Sequence, residues 1–332
     1  MKKHTAWAAL LGLLLAVPAQ AASTHFHGVN IAGAEFNSGA LPGIAGKNYI
    51  WPTAADIDAY AAIGANIVRM PFLWERMQPV LGQPLDANEL ARLDAVVAAA
   101  ASRGVTILLD VHNYGGYRGE NIGSEDVPVA AFADLWTRLA EHEKGNANVA
   151  FGLMNEPHKI DAAVWAAIAQ AGIDAIRKTG AQQLILVPGT DWSGAHSWIS
   201  SGNAAALQTI KDPAHNFVFE MHQYFDKDSS GTHPECVSAD VGEKALAAAT
   251  AWLHKTGNRA FLGEFGASKD PVCLEALRGT LAYMAANKDV WYGWTYWAAG
   301  AWFGTYMFNI YPPDPARYPQ VEILEQAMSG KE

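Results

Sequence analysis

Charge is scarce in these 332 residues: 17% are Asp, Glu, Lys or Arg, and 33 acidic against 23 basic side chains leave a formal net charge of −10. No cluster of Lys and Arg is present to neutralise a phosphate backbone, so nucleic acid is excluded as a partner. A G-x-G-x-x-G after the first strand is missing too, which removes the usual dinucleotide cradle and with it any expectation of such a cofactor. There is no G-x-S-x-G elbow for a serine hydrolase. No Pro-, Ser- or Gly-rich linker divides the chain, so a single domain is expected.

Cysteine is nearly absent, with Cys236 and Cys273 the only two. Two thiols are too few for a structural zinc site. In an exported chain such a pair reads as a disulfide, and two buried free thiols is the competing reading. Export is suggested by the start of the sequence. Lys2 and Lys3 precede an apolar run from Ala6 to Val17, and Ala19-Gln20-Ala21 has the small-x-small form of a signal-peptidase site. The run is shorter than the ~20 residues of a membrane span. Residues 1–21 are therefore expected to be a signal peptide and 22–332 a secreted catalytic domain, extracellular or periplasmic, with no membrane partner and monomeric.

What the chain has in abundance is apolar and aromatic side chains: half are hydrophobic, with 12 Trp, 11 Tyr and 12 Phe. They are organised by period. Strand-like runs occur at Phe26 to Ile31, Asn66 to Pro71, Thr106 to Val111, Val149 to Met154, Gln183 to Val187, Phe217 to Met221, Ala260 to Gly263 and Val290 to Tyr296. Between them, Asp86 to Arg103, Pro128 to Glu143, Val164 to Lys178, Val241 to His254, Leu274 to Asn287 and Gln320 to Met328 carry helical spacing, with Asp86 as an N-cap. A weaker helix is expected from Trp198 to Ile210, interrupted at Ser201-Gly202. Strands and helices that alternate in this way, the strands apolar on both faces, imply parallel strands with crossover helices. A closed (β/α)8 TIM barrel is the economical solution; an open doubly wound sheet is the alternative.

In such a barrel, reactive groups gather at the C-terminal ends of the strands. Arg69, Asp110-Val111-His112-Asn113-Tyr114, Asn155-Glu156-Pro157, His222-Gln223-Tyr224, Gly263-Glu264-Phe265 and Trp294-Thr295-Tyr296-Trp297 all stand there. Strands four and seven lie across the mouth from each other, so Glu156 and Glu264 can face one another. Two facing carboxylates, one protonated and one ionised, are what glycosidic bond cleavage requires. Arg69 can keep Glu264 ionised as nucleophile, with Tyr224 donating to it. Glu156 is then the acid, Asn155 a partner for a sugar 2-hydroxyl, and His112 and His222 contacts for hydroxyls or for the carboxylates. Trp297 is the preferred aromatic platform, with Trp74, Tyr114, Tyr117, Trp192, Trp198 and Trp302 as weaker ones. On helices, Trp136, Trp165 and Trp252 read as core.

These motifs together resemble family 5 of the glycoside hydrolases, and most closely its secreted endoglucanases. The resemblance spans the chain after residue 21. It is carried by Asn66-Ile-Val-Arg-Met-Pro71, Leu109-Asp-Val-His-Asn-Tyr114, Gly152-Leu-Met-Asn-Glu-Pro157, Glu220-Met-His-Gln-Tyr224, Gly263-Glu-Phe-Gly266 and Trp291-Tyr-Gly-Trp-Thr-Tyr-Trp-Ala298. It implies a retaining endo-β-1,4-glucanase acting on β-glucan without metal or organic cofactor. Glu156 would be acid/base and Glu264 nucleophile, with Arg69, His112, Asn155, His222, Tyr224 and Trp297 lining the cleavage site and Asn113, Tyr117 and Trp192 as weaker contributors. Cys236 and Cys273 fall where such enzymes form a disulfide. Mannan and related β-glycans are alternative substrates on the same frame. A more distant alternative is a metal-dependent barrel hydrolase, suggested by His25-Phe26-His27. Those histidines stand at the start of the first strand, however, away from the mouth.

Overall fold

The computed structural model describes residues 25–330. The expected signal peptide, residues 1–21, lies outside them. Eight parallel strands close on themselves: β1 (Phe26–Ile31), β2 (Ile67–Phe72), β3 (Thr106–Val111), β4 (Val149–Gly152), β5 (Ile185–Pro188), β6 (Phe217–His222), β7 (Ala260–Glu264) and β8 (Trp291–Ala299). The closing pair is β1 with β8, in the register Phe26 to Gly293 and Val29 to Tyr296. Crossover helices follow in order: α1 (Ala54–Ala62), α2 (Ala87–Ala101), α3 (Val129–Glu143), α4 (Ala162–Lys178), α5 (Asn203–Ala206), α6 (Val241–Thr256), α7 (Pro271–Ala286) and α8 (Pro319–Ser329). The expected barrel is therefore what the chain forms. Among the described residues no helix is long and apolar enough to cross a membrane.

Local chemistry explains the boundaries. The Asp86 side chain accepts from the Asn88 and Glu89 amides and starts α2, as anticipated. Thr53 and Asp56 form a reciprocal capping box that starts α1, a helix the spacing analysis did not find. The helix expected from Trp198 to Ile210 shrinks to α5 and a 3-10 turn at Leu207–Thr209, because Gly202 sits in the left-handed region at φ 85°. Strand β4 stops two residues short of Met154. β5 starts at Ile185, two residues later than expected, and the Gln183 side chain before it donates to the Glu143 and Asn146 carbonyls.

Inside the barrel, side chains alternate with period two and so form layers. Ile67, Leu108, Ala150, Leu186, Val218 and Phe261 pack into an apolar layer near the N-terminal end. Two residues on along the same strands stand Arg69, Asp110, Gly152, Pro188, Glu220 and Gly263. A larger apolar cluster fills the annulus between strands and helices. Cys236, in the loop after β6, is joined to Cys273 on α7 by a disulfide spanning 37 residues. On the chain-entropy account, closing a loop of that length stabilises the fold by about 3–4 kcal/mol.

Candidate active site

The guanidinium of Arg69 is the hub of the polar layer. It is fully buried, so it needs partners on every side. Nε donates to Glu220 Oε1 at 2.8 Å, and Nη1 donates to Glu264 Oε1 at 2.8 Å and Asn30 Oδ1 at 3.0 Å. Asp110 Oδ2 lies 3.1 Å from Nη1, and Nη2 donates to Asn155 Oδ1 at 2.8 Å. One cation thus ties β1, β2, β3, β6, β7 and the end of β4 together. Burial works against its charge, yet the carboxylates of Asp110, Glu220 and Glu264 reverse that and raise its pKa.

Glu264 ends β7, nearly buried, held between Arg69 on Oε1 and the Tyr224 hydroxyl, which donates to Oε2 at 2.7 Å. Burial alone would raise its pKa. His222, Arg69 and His112, together with the Tyr224 hydrogen bond, outweigh it and hold the group below the usual carboxylate range. The Tyr224 phenol is pushed far above its usual range by burial and by Glu264, so it remains a donor. Glu156 stands opposite, just past β4, with a left-handed backbone at φ 41°. For a non-glycine residue that conformation costs on the order of 1–3 kcal/mol. It is retained beside Asn155, whose amide donates to the Val111 carbonyl at 2.8 Å.

His222 sits between the two glutamates, with Nδ1 2.8 Å from Glu156 Oε1 and 3.7 Å from Glu264 Oε2. Burial opposes its charge, but Glu264, Glu156 and Glu220 together raise its pKa to about 10. Oxygens of Glu156 and Glu264 and a nitrogen of His222 all lie within 4.8 Å of one another. Each of the three is already engaged by protein groups: Glu264 by Arg69 and Tyr224, and Glu156 and His222 by each other. His112 is held by Asp110, 2.7 Å from Nδ1, and its ring stacks against Trp297 at 5.7 Å and 12°.

Two cavities meet at Glu156 and Tyr224. One, about 450 Å³, is lined by His112, Tyr114, Trp297 and Tyr306 with Glu264 in its wall. The other, about 510 Å³, is lined by Asp191, Trp192, His196 and His222. Trp192 is 50% exposed and stacks on His158 at 4.8 Å and 7°. A cleft therefore runs across the mouth, with an indole on either side of the facing carboxylates.

The structure brings Glu156, Glu264, His112, His222, Tyr224, Trp297 and Trp192 to that cleft, with Arg69 and Asn155 buried immediately beneath. It does not bring Asn113 or Tyr117. Asn113 accepts from the Trp74 amide and donates to Glu75, and the Tyr117 hydroxyl donates to the Gln78 and Pro79 carbonyls behind Trp74. Trp74 and Trp198 are fully buried and so are core rather than platforms, as are Trp136 and Trp165; Trp252 is nearly so. His25 and His27 line a separate cavity at the N-terminal end with Leu281, Trp294 and Ile323, far from any carboxylate of the mouth. Sequence reasoning missed Asn30, Asp110 and Glu220 as partners of Arg69. Stepping back two residues from His112 and His222 would have found the two acids. It also missed the Ser230–Thr232 turn, which lines both cavities.

Comparison with known proteins shows the family. The family described as cellulase (glycosyl hydrolase family 5) matches residues 27–300. A probable endo-beta-1,4-glucanase B of Neosartorya fischeri is 41% identical over 322 residues, covering 96% of each chain. The solved endo-beta-1,4-glucanase Xac0029 of Xanthomonas axonopodis pv. citri is 48% identical, with a TM-score of 0.89 over 92% of this chain and 98% of its own. XacCel5A, solved in complex with cellopentaose, is 50% identical, with a TM-score of 0.89 over 91% of this chain and 99% of its own.

Proposed function

This chain belongs to glycosyl hydrolase family 5, and from that premise we propose an endo-β-1,4-glucanase in which Glu264 is the nucleophile and Glu156 the acid/base. The enzyme hydrolyses internal β-1,4 bonds of cellulose and related β-glucans. The observation that carries the residue assignment is the asymmetry of the two carboxylates. Glu264 is clamped by Arg69 and Tyr224 in its ionised form, whereas Glu156 faces the cleft with a single close partner, His222.

In the first step a Glu264 oxygen attacks the anomeric carbon and the bond to the leaving oxygen breaks, that oxygen taking the proton of the Glu156–His222 pair. In the second, Glu156 removes a proton from water as the water attacks the same carbon and releases Glu264 as a carboxylate. Oxygens of the two carboxyl groups within 4.8 Å of each other suit this retaining route; inversion needs roughly 6.5–9.5 Å to seat a water between them. Arg69 and Tyr224 stabilise the returning carboxylate without moving, which is electrostatic preorganisation. Trp297 and Trp192 offer flat apolar faces to pyranose rings on either side of the scissile bond.

Carboxymethyl cellulose, β-mannan and xyloglucan, digested with the purified protein, decide the substrate. A rapid fall in viscosity with few new reducing ends on the first polymer alone is expected; preferential attack on mannan overturns the glucanase reading. Proton NMR of the first product should show the β-anomer, and the α-anomer rules out retention. Secretion is part of the same reading. It rests on the leader-like residues 1–21 and is checked by finding Ala22 at the amino terminus of the exported protein.

A further inference from the structure

Glu220 is a fully buried carboxylate to which the reaction so far assigns no role. It points into the barrel from the middle of β6, two residues before His222. Its Oε1 is shared: Arg69 Nε donates to it at 2.8 Å, and His222 Nε2 lies 3.4 Å away. Its Oε2 has no hydrogen-bond partner. Space for this acid exists because Gly263 has no side chain; a Cβ there would fall 2.4 Å from Glu220 Oε1 and 2.9 Å from His222 Nε2. A buried carboxylate with an unpaired oxygen is costly to keep as mere packing.

Given the acid/base assignment above, on which this inference rests, we propose that Glu220 is a positioning residue: it holds the His222 ring with Nε2–H turned inward, so that Nδ1 is always the nitrogen presented to Glu156. The tautomer logic follows from which atoms can donate. Glu220 Oε1 can only accept, so Nε2 carries a proton whether the ring is neutral or charged. In the neutral ring Nδ1 is then an acceptor and takes a hydrogen bond from protonated Glu156. In the charged ring Nδ1–H donates to ionised Glu156. Either way one proton is shared over the 2.8 Å contact and is ready for the leaving oxygen. Through Arg69 the same Glu220 oxygen is also linked to the nucleophile, since Nη1 donates to Glu264 Oε1.

The charged groups around His222 set the pH at which the shared proton is lost. Glu220 lies on its own strand, Glu156 past β4, Glu264 on β7, Asp110 on β3 and Arg69 on β2. Removing the negative charge of Glu220 leaves the charged imidazole with one carboxylate fewer, so the proton leaves at lower pH.

The test is the pH profile of Glu220→Gln. The basic limb of kcat/KM should move down by about one pH unit or more, with KM at the optimum within about twofold of the parent. Glu220→Asp should restore part of the shift. An unmoved basic limb in a folded, weakened Glu220→Gln enzyme means that Glu220 only supports the fold, and overturns the proposal. Should that variant not fold, nitrogen NMR of the unaltered protein decides: His222 should show a protonated Nε2 across pH 6 to 9, and a neutral ring carrying its proton on Nδ1 is the contrary result. Polymer cleavage by the unaltered protein tests the glucanase reading separately, because the ring's tautomer does not depend on any substrate.

Discussion

The two ends of this barrel are built from the same eight strands yet differ in kind. At the N-terminal end lies the roomier hollow, about 720 Å³, bounded by Leu281, Ala285, Trp294 and Ile323 with His25 and His27 at its edge. At the C-terminal end the two cavities are smaller, about 450 and 510 Å³, and Glu156 belongs to both. Size and apolarity would choose the wrong end. What marks the working end is a set of charges that could not be buried singly: Arg69 with Asp110, Glu220 and Glu264, and His222 between two glutamates. Folding energy that could have gone into an apolar layer holds a preorganised electrostatic site instead.

The sharpest way to break the comparison is to remove a charge at the mouth. Glu264→Gln should lower turnover on carboxymethyl cellulose by at least about a thousandfold while the circular dichroism spectrum stays that of a folded barrel. Next comes Glu156→Gln, expected to lose about 10²- to 10⁴-fold on the polymer. It should recover much of the first step on an aryl glycoside with a good leaving group, and no recovery would contradict the acid role. Smaller effects separate the indoles. Trp297→Ala should raise KM about tenfold with little change in melting temperature, matching the ~1.4 kcal/mol of a stacked ring. Trp198→Ala should instead cost about 3–5 kcal/mol of stability and leave KM close to the parent, because its ring is wholly in the core.

Stability against pH, as distinct from binding or turnover, separates two histidines of opposite linkage. His222, raised to about 10 against the ordinary 6.5, contributes stability that is complete below pH 6.5 and lost as pH climbs toward 10. His27 at the other end is lowered, by burial first and then by neighbouring His25. The unfolded chain protonates that ring more readily than the folded one, so stability falls as pH drops below 6.5. Urea midpoints measured from pH 5 to 10 should decline on both sides. His27→Ala should flatten the acid side alone and leave kcat unchanged; a change in kcat would show that the two ends are coupled.

Much of this was legible before any coordinate. The eight strands fell at or within three residues of their positions, because a strand buried on both faces is a short apolar run whatever surrounds it. Glu156 and Glu264 stood out because each ends such a run in a carboxylate. Other features were illegible for a physical reason. Trp74 and Trp198 follow strand ends just as Trp192 does, and nothing local says which indole turns inward. Asn113 and Tyr117 follow β3, as a site residue would, but their polar atoms close a turn.

By itself, then, the sequence determined the order of strands and helices, the barrel they imply, and the pair of acids at the mouth, since these depend on period and on residue type at a strand end. Only the tertiary structure decided that Arg69 would be shared among carboxylates 41, 151 and 195 positions away, Asp110, Glu220 and Glu264. Closure of the sheet brings distant strands to one axis, and there a buried cation must be satisfied by whatever acids the neighbouring strands turn inward.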